Sequence, residues 1–186
     1  MKKRLVLTIL LLCVFISFSS CKSGENNQAK AKSLVKIAFT LPNESIRTAQ
    51  TKDLESVTSK DGSSSITIEQ VPTQNLEDAI SKEFGNYVAE NTLKDAGSSF
   101  YSSIIMMHIM SIDKKIAITP KEIVVKQDDK QKNHYSYVMK AMMSIDKSSE
   151  QEIKIDGIIQ FDKNGKVDYM STTGSDYKKI LETSIS

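Results

Sequence analysis

Few side chains in this 186-residue chain have the chemistry of a catalytic or metal site. Its two histidines, His108 and His134, stand far apart in the sequence. Histidine metal sites usually combine two or three of them at close spacing. A histidine paired with a carboxylate can act as an acid–base dyad. Here that needs His108 or His134 to point into the domain beside an acid, with Asp113 and Asp156 as the conceivable partners. The plainer expectation for each is a hydrogen-bonded core or edge histidine. The run Ile104-Ile105-Met106-Met107-His108-Ile109-Met110, with Met139, Met142 and Met143, is methionine-rich. Such a cluster can bind soft copper or line an adaptable apolar pocket; filling an irregular core is the commoner use and the one expected. Asp128-Asp129 and Asp162-Lys163-Asn164-Gly165 offer oxygen ligands in loops. The second lacks the glutamate and spacing of an EF-hand and reads as a hairpin turn. Lys114-Lys115 and Lys178-Lys179 read as solvated pairs, with attraction to anionic headgroups the weaker reading. The residues therefore predict no catalytic site, no cofactor and no metal.

Cys21 has a different setting. Lys2, Lys3 and Arg4 precede an apolar run from Leu5 to Ile16, and Ser19 and Ser20 are small residues before Cys21. That is the layout of a secretory signal. The run is too short for a membrane-spanning helix, which needs about 20 apolar residues. Phe18-Ser19-Ser20-Cys21 resembles the lipobox of bacterial lipoproteins, with Phe18 in place of the usual Leu and Ser20 where Gly or Ala is commoner. The resemblance implies cleavage between Ser20 and Cys21 and acylation of the Cys21 sulfur, palmitate being a typical chain. Two acyl chains suffice for stable anchoring where one is marginal. The expected location is the extracytoplasmic face of the cell membrane, on the Gram-positive pattern.

The segment 1–20 then leaves, and with it Cys13 and much of the basic character. The chain has 25 basic and 23 acidic side chains; without Lys2, Lys3 and Arg4 the basic count is 22 and the formal charge −1. That balance argues against nucleic-acid binding. With Cys21 acylated the domain holds no free thiol, so no disulfide or thiolate metal site is expected. The remainder suits one domain. Residues 21–32, CKSGENNQAKAK, are polar without apolar periodicity and predict a flexible tether, about 20 Å long if coil. Residues 33–186 form the expected single domain.

Within it, Ser33 is placed to cap a short helix carrying Leu34, Ile37, Ala38 and Leu41, ended by Pro42. Asn43 caps a second, through Ala49. Asp53–Ser65 predicts a loop, and Ile66 and Ile68 a short strand before Pro72. Asn75 is an expected N-cap with Glu77 and Asp78 in the first turn. Leu76, Ile80, Phe84 and Tyr87 follow as one helical stripe. Asn91 or Thr92 restarts a helix toward His108, interrupted at Gly97, with Phe100, Ile104, Met107 and His108 on one face. From Ile116 the period becomes two. Ile123 and Val125, then Tyr135 to Met143, then Ile153 to Phe161, then Val167 and Tyr169 mark four strands of an antiparallel meander. A three-residue loop, Lys163-Asn164-Gly165, sets Phe161 opposite Val167 and Ile159 opposite Tyr169, and places Gly165 in the left-handed region. Ser175 caps a final short helix with Tyr177, Ile180 and Leu181.

The expected class is α+β: N-terminal helices on one face of a curved antiparallel sheet, with a short C-terminal helix. This order resembles the cone-like nuclear transport factor two-like fold. The stretches Phe39-Thr40-Leu41-Pro42-Asn43-Glu44, Phe84-Gly85-Asn86-Tyr87-Val88 and Ile123-Val124-Val125-Lys126-Gln127 also resemble Gram-positive, Bacillus-type lipoproteins. The resemblance implies fold and compartment, and no mechanism. The expected role is a membrane-anchored, non-enzymatic binding or assembly module of the cell envelope, with an envelope protein or small apolar ligand as partner. The alternative is a small-molecule carrier or enzyme using a pocket on the concave face of the sheet.

Overall fold

The period-two segments build the meander that their alternation predicts. A computed structural model describes residues 21–61, 74–113, 115–146, 148–174, 176–178 and 180. Strands β1 (Ile116–Gln127), β2 (His134–Ile145), β3 (Gln151–Phe161) and β4 (Val167–Thr173) lie side by side in sequence order, each antiparallel to the next. The sheet is open, and α+β is the observed class. One face carries Tyr135, Tyr137, Met139, Ala141 and Met143 from β2 and Ile153, Ile155, Ile159 and Phe161 from β3, all buried. The other face alternates charge with scattered apolar side chains.

Two bulges keep the inner face apolar where strict alternation would lose it. In β1, Ile116, Ile118 and Pro120 face Ile145, Met143 and Ala141; Lys121 is then skipped, and Ile123 and Val125 face Met139 and Tyr137. In β4, Val167 faces Phe161 as expected, but Asp168 is skipped. Ile159 therefore faces Met170, not the expected Tyr169. A bulge shifts the side-chain phase by one, so Met170 is fully buried and Tyr169 is 40% exposed. Both phases of this short strand offer an apolar residue, which is why alternation alone misassigns it. The loop before it has the expected form: Gly165 has φ of 71°, Asp162 N–H donates to Lys166 O at 2.7 Å, and Gly165 N–H donates to Asp162 O at 3.1 Å.

Helix α1 (Cys21–Ala38) corrects the expected tether. Residues 21–32 are helical rather than coil, and Ala31 is as fully buried as Leu34, Val35 and Ala38. The spacing i, i+3, i+4, i+7 makes these one stripe, hidden in the sequence because its first member is an alanine among lysines. Helix α2 (Glu44–Asp61) begins as expected: Asn43 Oδ1 accepts from the backbone N–H of Ser45 (3.0 Å) and Ile46 (3.2 Å). It runs on past Ala49 to Asp61, where a loop from Asp53 is expected. The strand expected at Ile66 and Ile68 lies outside the described residues. Helix α3 (Gln74–Phe84) starts one residue before the expected Asn75 cap and buries Leu76, Ala79, Ile80 and Phe84.

The helix expected from Asn91 to His108 is two pieces. Helix α4 (Glu90–Lys94) stops at a turn in which Asp95 Oδ1 accepts from Gly97 N–H at 2.9 Å. Ser98 Oγ then accepts from Tyr101 N–H at 3.1 Å, opening a π-helical stretch, Tyr101–Ile105, that continues into α5 (Met106–Asp113). After β4, residues 176–178 form a helical turn with Tyr177 and Ile180 buried; Ser175 and Leu181 lie outside the described residues. No helix among the described residues is long and apolar enough to cross a membrane.

Both sheet edges are occupied. Leu41 exchanges two backbone hydrogen bonds with Ile118 of β1, each 3.0 Å, and Gln28 Nε2 donates to Val125 O at 2.8 Å. On β4, Val167 N–H donates to Tyr87 O and Val167 O accepts from Ala89 N–H. Unpaired strand edges invite association with other chains, and these contacts remove part of that hazard.

Gly165→Val should destabilise the domain by about 1–2 kcal/mol, because a β-branched residue resists positive φ. Thermal or urea melts of wild type and variant measure it; an unchanged midpoint would rule out the left-handed geometry at Gly165.

Candidate functional site

The side chain with the most perturbed chemistry is His108. Ser98 and the π-helical stretch set the phase of α5, so Phe100, Ile104, Met107 and His108 all turn into the core, each at most 1% exposed. His108 Nε2 lies 3.0 Å from Ala38 O. A carbonyl only accepts, so Nε2 carries the hydrogen and the ring is held as one tautomer. The reason for this bond lies in α1. The last four carbonyls of a helix lack intrahelical donors. Here Val35 O accepts from Phe39 N–H, Ile37 O from Thr40 N–H, Lys36 O from the Thr40 hydroxyl, and Ala38 O from His108. The imidazole completes the C-cap of another helix.

The other ring nitrogen, Nδ1, is buried without a hydrogen-bond partner among the described residues. Phe84 packs against the ring at 5.7 Å between centroids, tilted 66°, and Phe84 meets Phe100 edge-to-face at 5.3 Å. Burial in these surroundings lowers the His108 pKa to about 4, only partly opposed by the hydrogen bond to Ala38. His108 is neutral at physiological pH, and its basic nitrogen faces the interior.

No dyad assembles around Asp156. Its Oδ2 accepts from the Thr173 hydroxyl at 2.8 Å, and in the strand alternation it belongs to the outer face of β3. Its cross-strand neighbour on β2 is Val138, four residues or roughly 13 Å along the strand from His134. His134 Nδ1 instead lies 3.1 Å from Asn133 Oδ1. The side chain of Asp113 lies outside the described residues. No group of three metal-binding side chains comes together among the described residues.

Methionines and tyrosines fill the space between the helices and the inner face of the sheet. Met107, Met139, Met143 and Met170 are buried. Tyr135 packs edge-to-face on Phe161 at 5.4 Å, and Tyr137 lies 6.1 Å from the Phe39 ring. The Tyr137 hydroxyl crosses β3 to donate to Ser171 O at 3.3 Å and meets Thr172 Oγ1 at 3.0 Å. It passes over Gly157, where a Cβ would come within 2.7 Å of that hydroxyl; glycine is the residue that leaves this path open. Burial raises the Tyr137 pKa well above its usual value, so the hydroxyl stays protonated. A cleft of about 430 Å³ opens on the helical side, lined by Ser33, Lys36, Ile37, Thr40, Asn43, Glu83 and Tyr87. It holds one cation and one carboxylate, the latter accepting from Asn43 Nδ2 at 3.3 Å.

Cys21, the residue with the clearest chemical context in the sequence, opens α1, and its side chain lies outside the described residues, as do Ser20 and the whole 1–20 segment. The role of His108 as a cap was not readable from sequence, since nothing local links it to Ala38. The chain matches no protein-family model, no curated protein and no solved structure.

The His108 environment has a measurable consequence. Folding holds the neutral ring, so the unfolded chain binds the proton more tightly. The contribution is complete above pH 6.5 and is lost as pH falls toward 4, a loss of about 3 kcal/mol. His108→Gln keeps a donor for Ala38 but does not titrate. Urea melts across this range should show a shallower loss in the variant, and identical slopes would disprove the assignment.

Proposed function

We propose that the protein is a lipoprotein of the cell envelope, cleaved before Cys21, acylated on the Cys21 sulfur and held on the extracytoplasmic face of the membrane. The observation that carries this reading is Cys21 itself, placed after a basic start, a short apolar run and two serines. The domain behind it works as a non-enzymatic binding or assembly module, and its helices-then-meander order supports kinship with nuclear transport factor two-like domains.

Acid–base and nucleophilic catalysis need a reachable base with a partner that orients it. His108 is committed to Ala38 and sealed in the core, and His134 is bonded to Asn133 at a strand start. The inner face that a carrier or enzyme would use is packed with Met139, Met143, Tyr135 and Tyr137. The outer face, by contrast, presents Val124, Val138, Ile158 and Tyr169 as a diagonal apolar line across all four strands. Val124 is directly opposite Val138, while Ile158 and Tyr169 each stand two residues off the next cross-strand pair. Val124, Ile158 and Tyr169 are 40–44% exposed. Such a surface suits work by contact rather than by chemistry.

Cys21→Ser removes the sulfur that accepts lipid. The variant should leave the membrane fraction for the soluble extract or medium, and the aqueous phase on detergent partition. Membrane retention equal to wild type would refute the anchoring. The pair His108→Gln and His134→Gln should preserve the cellular role provided thermal melts show a folded protein. A folded double variant that reproduces the deletion phenotype would move the search for chemistry to the neighbouring carboxylates.

A further inference from the structure

Helix α1 fixes where the anchor sits on the domain. Gln28 Nε2 bonds to Val125 O near the end of β1, and Lys30 Nζ donates to Gly165 O at 3.1 Å in the β3–β4 turn. Eleven residues after Lys30, beyond the end of α1, Leu41 pairs with Ile118 near the start of β1. The helix therefore runs opposite to β1, and its N-terminus emerges where both hairpin turns, 128–133 and 162–166, also lie. At 1.5 Å per residue, Cys21 stands about 10 Å beyond Gln28 along the axis. The β1–β2 turn extends a similar distance past Val125, roughly 10 Å for three strand residues. The acylated residue and the hairpin turns are level with one another.

That end of the domain is basic. By backbone position, Lys22, Lys30, Lys126, Lys130, Lys132, Lys163 and Lys166 are gathered there against Glu25, Asp128, Asp129 and Asp162. Two of the four carboxylates are turned into their own loops. Asp128 Oδ1 accepts from the N–H of Lys130 and Gln131, and Asp162 Oδ1 from the N–H of Asn164 and Lys166. None of the ion pairs among the described residues uses these lysines; Lys30 and Lys166 donate to the carbonyls of Gly165 and Gly85, which leaves Lys126, Lys130, Lys132 and Lys163 to face outward. At the opposite end, Lys115 is paired with Asp146 at 2.9 Å, and Glu150 and Glu152 are exposed. The domain is thus polarised along its strand direction, positive at the hairpin end beside the anchor.

We infer that the two hairpin turns form a lysine rim that rests on anionic phospholipid headgroups, so that the domain stands upright on the membrane with its β2–β3 connection pointing away. The inference rests on acylation of Cys21, and it replaces a freely tumbling tether with an oriented one. A polybasic surface held within a Debye length of an anionic leaflet is attracted to it, and salt weakens the attraction.

The test uses the lipidated full chain, extracted from membranes and returned to phosphatidylcholine vesicles with or without phosphatidylglycerol. With Cys21 acylated, an introduced thiol is unique, so Gln131→Cys in the β1–β2 turn and Glu150→Cys at the far end can each carry a fluorophore. Headgroup-attached quencher should quench the first probe about twofold more than the second when phosphatidylglycerol is present, with the difference shrinking as salt rises. Lys130→Glu, Lys132→Glu and Lys163→Glu together should abolish the difference; the salt titration on the lysine-intact chain reads the same interaction should that triple variant not fold. Equal quenching at both ends, with Cys21 acylated by mass spectrometry, overturns the orientation and leaves the anchoring standing. A difference indifferent to phosphatidylglycerol and salt overturns the headgroup contact. Unmodified Cys21 overturns both readings.

Discussion

A buried hydrogen bond, from His108 Nε2 to Ala38 O, joins α5 to the end of α1. It satisfies the final carbonyl of α1 with a donor from α5. The chain then turns through Phe39 and Thr40 so that Leu41 reaches the edge of β1. With that end of α1 pinned and Gln28 and Lys30 bonded at the other, the helix has one permitted path along the sheet. A buried carbonyl left without a donor costs about 1–3 kcal/mol, a large share of the stability of an ordinary domain. The neutral state of His108 follows from the same arrangement, because Nδ1 is surrounded by Phe84 and other apolar groups.

The sheet answers a second constraint, the need to keep one face apolar over long strands. Strict alternation in β1 would turn Ile123 and Val125 outward after Ile116 and Ile118 had pointed in. One skipped residue at Lys121 restores the phase. The bulge at Asp168 does the same service for Met170 but leaves Asp168 Oδ1 buried without a partner among the described residues. Burial of the methionine offsets that cost, a fully buried side chain of this size being worth roughly 1.5–3 kcal/mol. The packed inner face and the exposed apolar line on the outer face are two results of one alternation.

Packing and the proposed anchoring meet in α1. Its inward stripe, Ala31, Leu34, Val35 and Ala38, covers the sheet, while its N-terminal turns carry the chain to the hairpin end. A helix transmits direction over its length in a way that a coil does not. The position of Cys21 relative to the lysine-bearing turns is thereby a property of the fold, and the proposed lipid anchor acquires an orientation as well as a place.

Local pattern was enough for the four strands, the stripe of α3 from Leu76 to Phe84 though not for Tyr87, which lies in the turn beyond the helix, the Asn43 cap and the left-handed Gly165. In each case the physical cause lies within a few neighbouring residues: alternation, helical spacing, a side-chain oxygen near free N–H groups, or a tight turn that needs a positive φ. The chemical context of Cys21 was equally local, and so was the scarcity of histidine. Tertiary structure decided the rest. The burial of Ala31 depends on a sheet that begins some 85 residues later, and no polar run announces it. The phase of β4 depends on whether Met170 or Tyr169 fits the interior. The partner of His108 is a backbone carbonyl 70 positions away, and no side-chain pattern encodes a carbonyl. The gathering of lysines from two hairpins beside the start of α1 required the direction of that helix, which only its contacts at both ends establish.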